Sequence, residues 1–149
     1  MEQDLPDVRE MTKARMQGPI RLFLIDDERI VRDAISSLIR SWKDFQITGE
    51  ATVDEAIERL RGAQRDLVLL SLAGTDNVDR AIVKAIARVC GSSPLFVLVG
   101  NCDEVFRQEV ARLGASRVMM KTVHPRELQT AIRNLYETIE PDLPERLIS

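Results

Sequence analysis

Apolar runs in this chain stop at polar or small residues, and the residues at the stops could together do chemistry on a phosphate. LFLI runs into Asp26 and Asp27, LVLL into Ser71 and Leu72, LFVLV into Gly100 and Asn101, and VMM into Lys121. In a parallel sheet the strand ends of one polarity converge on a single edge, where α/β folds keep their ligand crevice. Asp26, Asp27, Ser71, Val99, Gly100 and Lys121 are therefore expected to be neighbours. Two carboxylates facing one ammonium suit magnesium and a phosphoryl group, because hard cations want oxygen ligands and a lysine pairs with phosphate as a point charge. Ser71 supplies a hydroxyl where such a site would take a third carboxylate.

The elements that must position these groups follow from hydrophobic spacing. A first strand is expected over 20–25, then a helix in which Ile30, Val31, Ala34, Ile35, Leu38, Ile39 and Trp42 form one buried face. A strand near Gln46–Ala51 precedes a helix with Val53, Ala56, Ile57 and Leu60 inward, and Gly62 suits its C-terminal cap. Asp66–Leu72 is a continuous apolar run, as in a strand covered on both faces, and a loop follows over Ala73–Asn77. Val78, Ala81, Ile82, Ala85, Ile86 and Val89 make the next stripe, closed by Gly91-Ser92-Ser93-Pro94 before a strand at Leu95–Val99. Asp103 should cap a helix carrying Val105, Phe106, Val110 and Leu113, which Gly114 ends. Val118–Met120 is the fifth strand, with Met119 and Met120 filling opposite faces, and Pro125 opens a last helix through Leu128, Ala131, Ile132, Leu135 and Ile139. Five alternating strand-helix units predict one α/β domain with a parallel sheet and right-handed crossovers. It should span 20–140, between an N-terminal extension at 1–19 and a tail or linker start at 141–149.

Composition narrows the function classes. The 149 residues are the size of one domain, and a net charge of -3 comes without any run of Lys and Arg, so nucleic acid binding is not expected of it. The apolar runs are too short for a membrane span, and MEQDLPDVRE reads as neither signal nor transit peptide. Cys90 and Cys102 lack the spacing of a metal or redox pair and are expected to be reduced, which fits a cytoplasmic protein. No G-x-G-x-x-G, P-loop or G-x-S-x-G occurs, so an enzyme of another doubly wound class finds no support. His124 precedes Pro125 and reads as a surface or capping residue.

From Ile20 to about Ile139 the chain resembles the receiver domain of two-component response regulators. The resemblance rests on LFLIDDE, RDLVLLSL, SPLFVLVGN and GASRVMMKTVHPREL, with ITGEATVDEAIERL similar to the subfamily usually joined to a helix-turn-helix domain. It implies a doubly wound (βα)5 flavodoxin-like sheet in the order 2-1-3-4-5. In that family an acidic pair and the aspartate ending the third strand hold Mg²⁺, and the aspartate accepts a phosphoryl group. A hydroxyl ending the fourth strand carries the switch, and a lysine ending the fifth pairs with the phosphoryl oxygens. Asp26, Asp27 and Lys121 match this pattern, whereas Ser71 stands at the acceptor position and Val99 at the switch position. Val118 replaces an aromatic residue, and Thr122 a proline.

The resemblance therefore implies a degenerate receiver that works through protein contact without aspartyl phosphorylation and is not an enzyme. No cofactor is required, and Asp26 and Asp27 would make a weak or vestigial Mg²⁺ site. Partners would be a histidine kinase, an effector domain or another regulator, with a homodimer as a further expectation. Phe106, Gln108, Arg112, Arg117, Arg126, Gln129 and Arg133 are the interface candidates, since they lie in the fourth helix, fifth strand and fifth helix. Two alternatives stay open: an acceptor displaced to Asp27 or Asp76, or the regulatory domain of a helix-turn-helix transcription regulator.

Overall fold

Strands that are apolar at every position have no face to give to water, and that property organises this chain. In the computed structural model, which describes residues 18–73 and 77–138, β3 (Leu67–Leu72) and β4 (Leu95–Val99) are buried throughout. β1 (Ile20–Ile25) is buried at all but Arg21. Together with β2 (Phe45–Ala51) and β5 (Arg117–Met120) they form one parallel sheet in the order β2-β1-β3-β4-β5. Both the parallel sheet and its order agree with the sequence reading. A bulge in the β1–β2 ladder lies between Leu22 and Phe23.

Alternation along the strands splits the core in two. Leu22, Leu24, Leu67, Leu69, Phe96 and Leu98 meet α1 (Arg29–Arg40) and α5 (Pro125–Glu137) on one face. On the other face, Phe23, Ile25, Val68, Leu70, Val97 and Val99 meet α2 (Val53–Arg59), α3 (Asn77–Cys90) and α4 (Glu104–Arg112). Met119 joins the first cluster and Met120 the second, as the period of two requires. No helix among the described residues is long and apolar enough to cross a membrane.

Local signals set most helix ends. Thr52 and Glu55 close a capping box at α2, Asp103 accepts from the Phe106 amide at α4, and His124 accepts from the Arg126 amide ahead of Pro125. Gly62 is not the cap expected of it: α2 stops at Arg59 on a right-handed Leu60, and the positive φ values belong to Gly91 and Gly114. At Gly114, φ is 121°, and a Cβ would come within 2.7 Å of the Ala87 Cβ, so this helix end needs glycine on both counts.

Three residues counted in buried stripes are exposed instead: Ile30 at 85 %, Val78 at 65 % and Val105 at 59 %. Ala34 and Ala81 face outward as well. Ile30, Val78 and Val105 are each the second residue of a helix that follows a strand. Each points outward from the first turn of its helix, whereas Phe106, the residue after Val105, turns into the core. The expected loop residues Gly74–Asp76, the leader over 1–17 and the tail from Ile139 onward lie outside the described residues.

Phe106 is fully buried, with the Arg80 guanidinium over its ring, so this interface candidate belongs to the core. Phe106→Ala should cost about 3–5 kcal/mol, read as a drop in urea midpoint. An exposed interface residue would leave that midpoint almost unchanged. Cys90 and Cys102 are both free thiols, and burial pushes Cys90 up to about 11. At pH 8 iodoacetamide should therefore label Cys102 well before Cys90. Because the folded Cys90 pKa lies above the ordinary value of 9.0, its contribution to stability is complete below pH 9 and is lost between about pH 9 and 11.

Candidate functional site

The ladder register decides which strand-end residues meet. β1 pairs with β3 as far as Ile25 opposite Leu70, so Asp26 and Ser71 follow one step later, side by side. Ser71 is itself opposite Leu98, whose side chain lies on the α1–α5 face. Asp26 and Ser71 are 4 % and 2 % exposed, and Asp26 Oδ2 and Ser71 Oγ find no hydrogen-bond partner among the described residues. Lys121 comes from the residue after β5, held by its own amide donating to the Val99 carbonyl at 2.8 Å. Its Nζ stands 4.0 Å from Asp26 Oδ2, an ion pair too long for a hydrogen bond. Register and the ion pair thus bring Asp26, Ser71 and Lys121 to one place at the strand ends.

Asp27 and Val99 belong to the same edge and do other things. Asp27 is exposed, and its Oδ1 accepts from the Val53 amide at 2.8 Å, which ties the end of β1 to the start of α2. Asp26 Oδ1 is taken up by the Glu28 amide at 2.8 Å, and Arg32 Nη1 donates to the Asp26 carbonyl at 2.6 Å. Val99 is fully buried in the α2–α3–α4 core, on the face of the sheet opposite Ser71. No hydrophobic period could reveal the roles of Arg32 and the Val53 amide, because each bond pairs one side chain with one backbone group and leaves no trace in apolar spacing.

The donor set does not fit a resident Mg²⁺. Among the described residues no three His, Cys, Asp or Glu side chains converge. Asp26 Oδ2 is buried without a hydrogen-bond partner and Asp27 Oδ1 is engaged by the Val53 amide, so this pair supplies few oxygens, whereas a hard divalent cation needs several.

The interface candidates separate into different places. Arg117 and Arg126 are exposed and line a groove of about 380 Å³ between β5 and α5, and Gln129 is half-buried on α5. Arg112 is exposed at the far end of α4, beside α3. Gln108 donates within its own helix to Glu104. Arg133 turns to the opposite flank, where it bonds Asp44 at 3.0 Å and covers the Phe45 ring. One helix presents different faces to different neighbours, so residues that share an element need not share a surface.

A doubly wound five-stranded sheet with an acidic residue and a lysine at its strand ends defines a phosphorelay-type receiver architecture. The sequence model of the response regulator receiver domain matches residues 22–133, and the chain belongs to that family. It is 26 % identical over 118 residues to Response regulator UvrY of Escherichia coli K12, covering 78 % of this chain and 54 % of that protein. It is 30 % identical over 122 residues to Response regulator protein VraR of Staphylococcus saprophyticus, covering 79 % and 57 %. The chain therefore spans a little over half the length of these relatives. A two-component response regulator of the LuxR family from Aurantimonas superposes with a TM-score of 0.71 at 23 % identity, over 88 % of this chain and 96 % of that one, and shares the fold.

Gly100 is the tightest fit at this edge. Its amide donates to the Leu72 carbonyl at 3.2 Å, and a Cβ would lie 2.6 Å from the Ala73 carbonyl oxygen. Gly100→Ala should push the segment after β3 outward and cost about 1–3 kcal/mol. Amide chemical shifts should then move at Leu72 and Ala73; an unmoved spectrum and an unmoved melting temperature would show that the clash is relieved elsewhere.

Proposed function

We propose that this receiver domain signals through protein–protein contact without aspartyl phosphorylation. The observation that carries the reading is the place of Ser71, buried beside Asp26 at the end of β3, on the α1–α5 face that also carries Asp26. In this reading Ser71 occupies the acceptor position. A serine there is a poor nucleophile without a base, and the sole histidine, His124, caps α5 through its side chain. Val99 occupies the switch position, where a buried valine has no hydroxyl to offer a phosphoryl group.

The domain then needs neither cofactor nor catalytic residue, and any Mg²⁺ binding at Asp26 and Asp27 is weak. Its output comes from a fixed conformation, because the hydroxyl and the aromatic side chain whose coupled movement would give two states are replaced by Val99 and Val118. The partner is another signalling protein (a histidine kinase, an effector domain or a second regulator), and the β5–α5 groove with Arg117 and Arg126 is the docking face favoured for it or for a second copy. A second reading draws on the relatives, of which the matched residues cover only 54 % and 57 %: the domain would be the regulatory part of a helix-turn-helix transcription regulator.

Beryllofluoride with Mg²⁺, a phosphoryl mimic, should leave the amide spectrum of the parent protein unchanged. Ser71→Asp should restore a carboxylate next to Asp26 and strengthen Mg²⁺ binding in calorimetry. Saturable beryllofluoride shifts centred on Ser71 in the parent protein would sink the proposal, and no gain in the variant would show that the strand-end geometry is misread.

A further inference from the structure

The N-terminal edge of the sheet, opposite the strand-end site, holds two adjoining clefts. They open on either side of the Gly91–Pro94 turn that joins α3 to β4, and Cys90, Gly91 and Ser93 belong to both. The first, about 500 Å³, is lined by Arg21, Arg61 and Arg65. The second, about 390 Å³, is lined by Lys84, Arg88 and Arg112. No described acidic side chain lines either one. These cations are scattered in sequence within a chain of net charge -3, so folding has sorted the charge onto one end.

The walls are built rather than loose. Arg65 Nη1 donates to the Leu60 and Ala63 carbonyls, and its Nη2 donates to the Cys90 carbonyl at 3.0 Å, which binds the segment after α2 to the end of α3. Arg21 is held by Asp66, with Nε at 3.3 Å and Nη2 at 3.2 Å from its two carboxylate oxygens. Arg61, Lys84, Arg88 and Arg112 are exposed. Leu60 and Val89 in the first cleft and Leu95 and Leu113 in the second give each an apolar strip, beside Gln64, Ser92 and Ser93 in the first.

We infer that the paired clefts dock an acidic polypeptide segment of a partner protein. Its carboxylates would fall on both sides of the Gly91–Pro94 turn and an aliphatic side chain on the apolar lining. A small anion would occupy one cleft, whereas cations flanking a turn on both sides call for charges carried along a chain. Guanidinium groups meet carboxylates in bidentate fashion, as Asp66 already shows with Arg21. Nucleic acid fits less well: the overall charge is negative, and no aromatic side chain lines the clefts to stack a base. The inference is independent of how the Ser71 site is read, since the two lie at opposite ends of the strands.

The test is fluorescence anisotropy on the full chain, with a short labelled peptide in which Glu and Asp alternate with Leu. The parent protein should bind it at low salt and lose it as salt shortens the reach of exposed charge. Arg61→Glu and Arg88→Glu, one in each cleft, should each weaken binding, and the two together by about tenfold or more. A peptide with Gln and Asn in place of the acids should not bind, and circular dichroism should show both exposed-site variants folded. Three results would overturn the inference: no binding by the parent protein, the same affinity in the double variant, or the whole loss produced by one substitution. A single-stranded oligonucleotide of equal charge that binds as tightly as the peptide would give the clefts to nucleic acid instead.

Discussion

A sheet covered on both faces has no room for a polar side chain except at the ends of its strands, and the rest of this molecule follows from that constraint. β1, β3 and β4 lie at the centre with nearly every residue buried. A charged group inside them would face a desolvation cost of several kcal/mol with no partner to offset it. Asp26, Ser71 and Lys121 therefore lie at or next to the strand ends, where Asp26 and Ser71 are still buried and Lys121 brings its ammonium to within 4.0 Å of Asp26.

The same constraint makes the residue at the end of β3 decisive for the charge at this edge. Parallel register places Asp26 beside Ser71, and a carboxylate at both positions would bring two negative charges together in a buried setting, stable only with a cation between them. With a hydroxyl at Ser71, the cation beside Asp26 is Lys121, whose Nζ stands 4.0 Å from Oδ2. Asp27 is engaged by the Val53 amide and so works as a structural clasp between β1 and α2. Val99 packs into the opposite layer, in the core covered by α2, α3 and α4.

The two ends of the strands have become chemically different. The C-terminal edge keeps one buried acid, one lysine and the exposed Ile30, Val78 and Val105. The N-terminal edge gathers arginines and a lysine around two clefts. In a βα fold the strand starts and the helix ends meet at one edge, so cations at the ends of α3 and α4 and beside β3 collect there, where they also complement the helix dipoles.

The sequence by itself determined the fold class, the strand order through family likeness, the helix starts at Asp103 and His124-Pro125, and the chemical identity of each strand-end residue. These depend on period, capping chemistry and apolar runs, all of which act over a few residues. Tertiary structure alone decided which way a residue points when its local pattern is satisfied by either side. Ile30, Val78 and Val105 match a helical stripe, yet they point outward and meet solvent. Arg133 lies on the expected helix, yet it reaches across to Asp44 and away from the β5–α5 groove. The basic clefts could not be seen in the sequence, because Arg21, Arg61, Arg88 and Arg112 become neighbours only when separate strand starts and helix ends are brought to one edge.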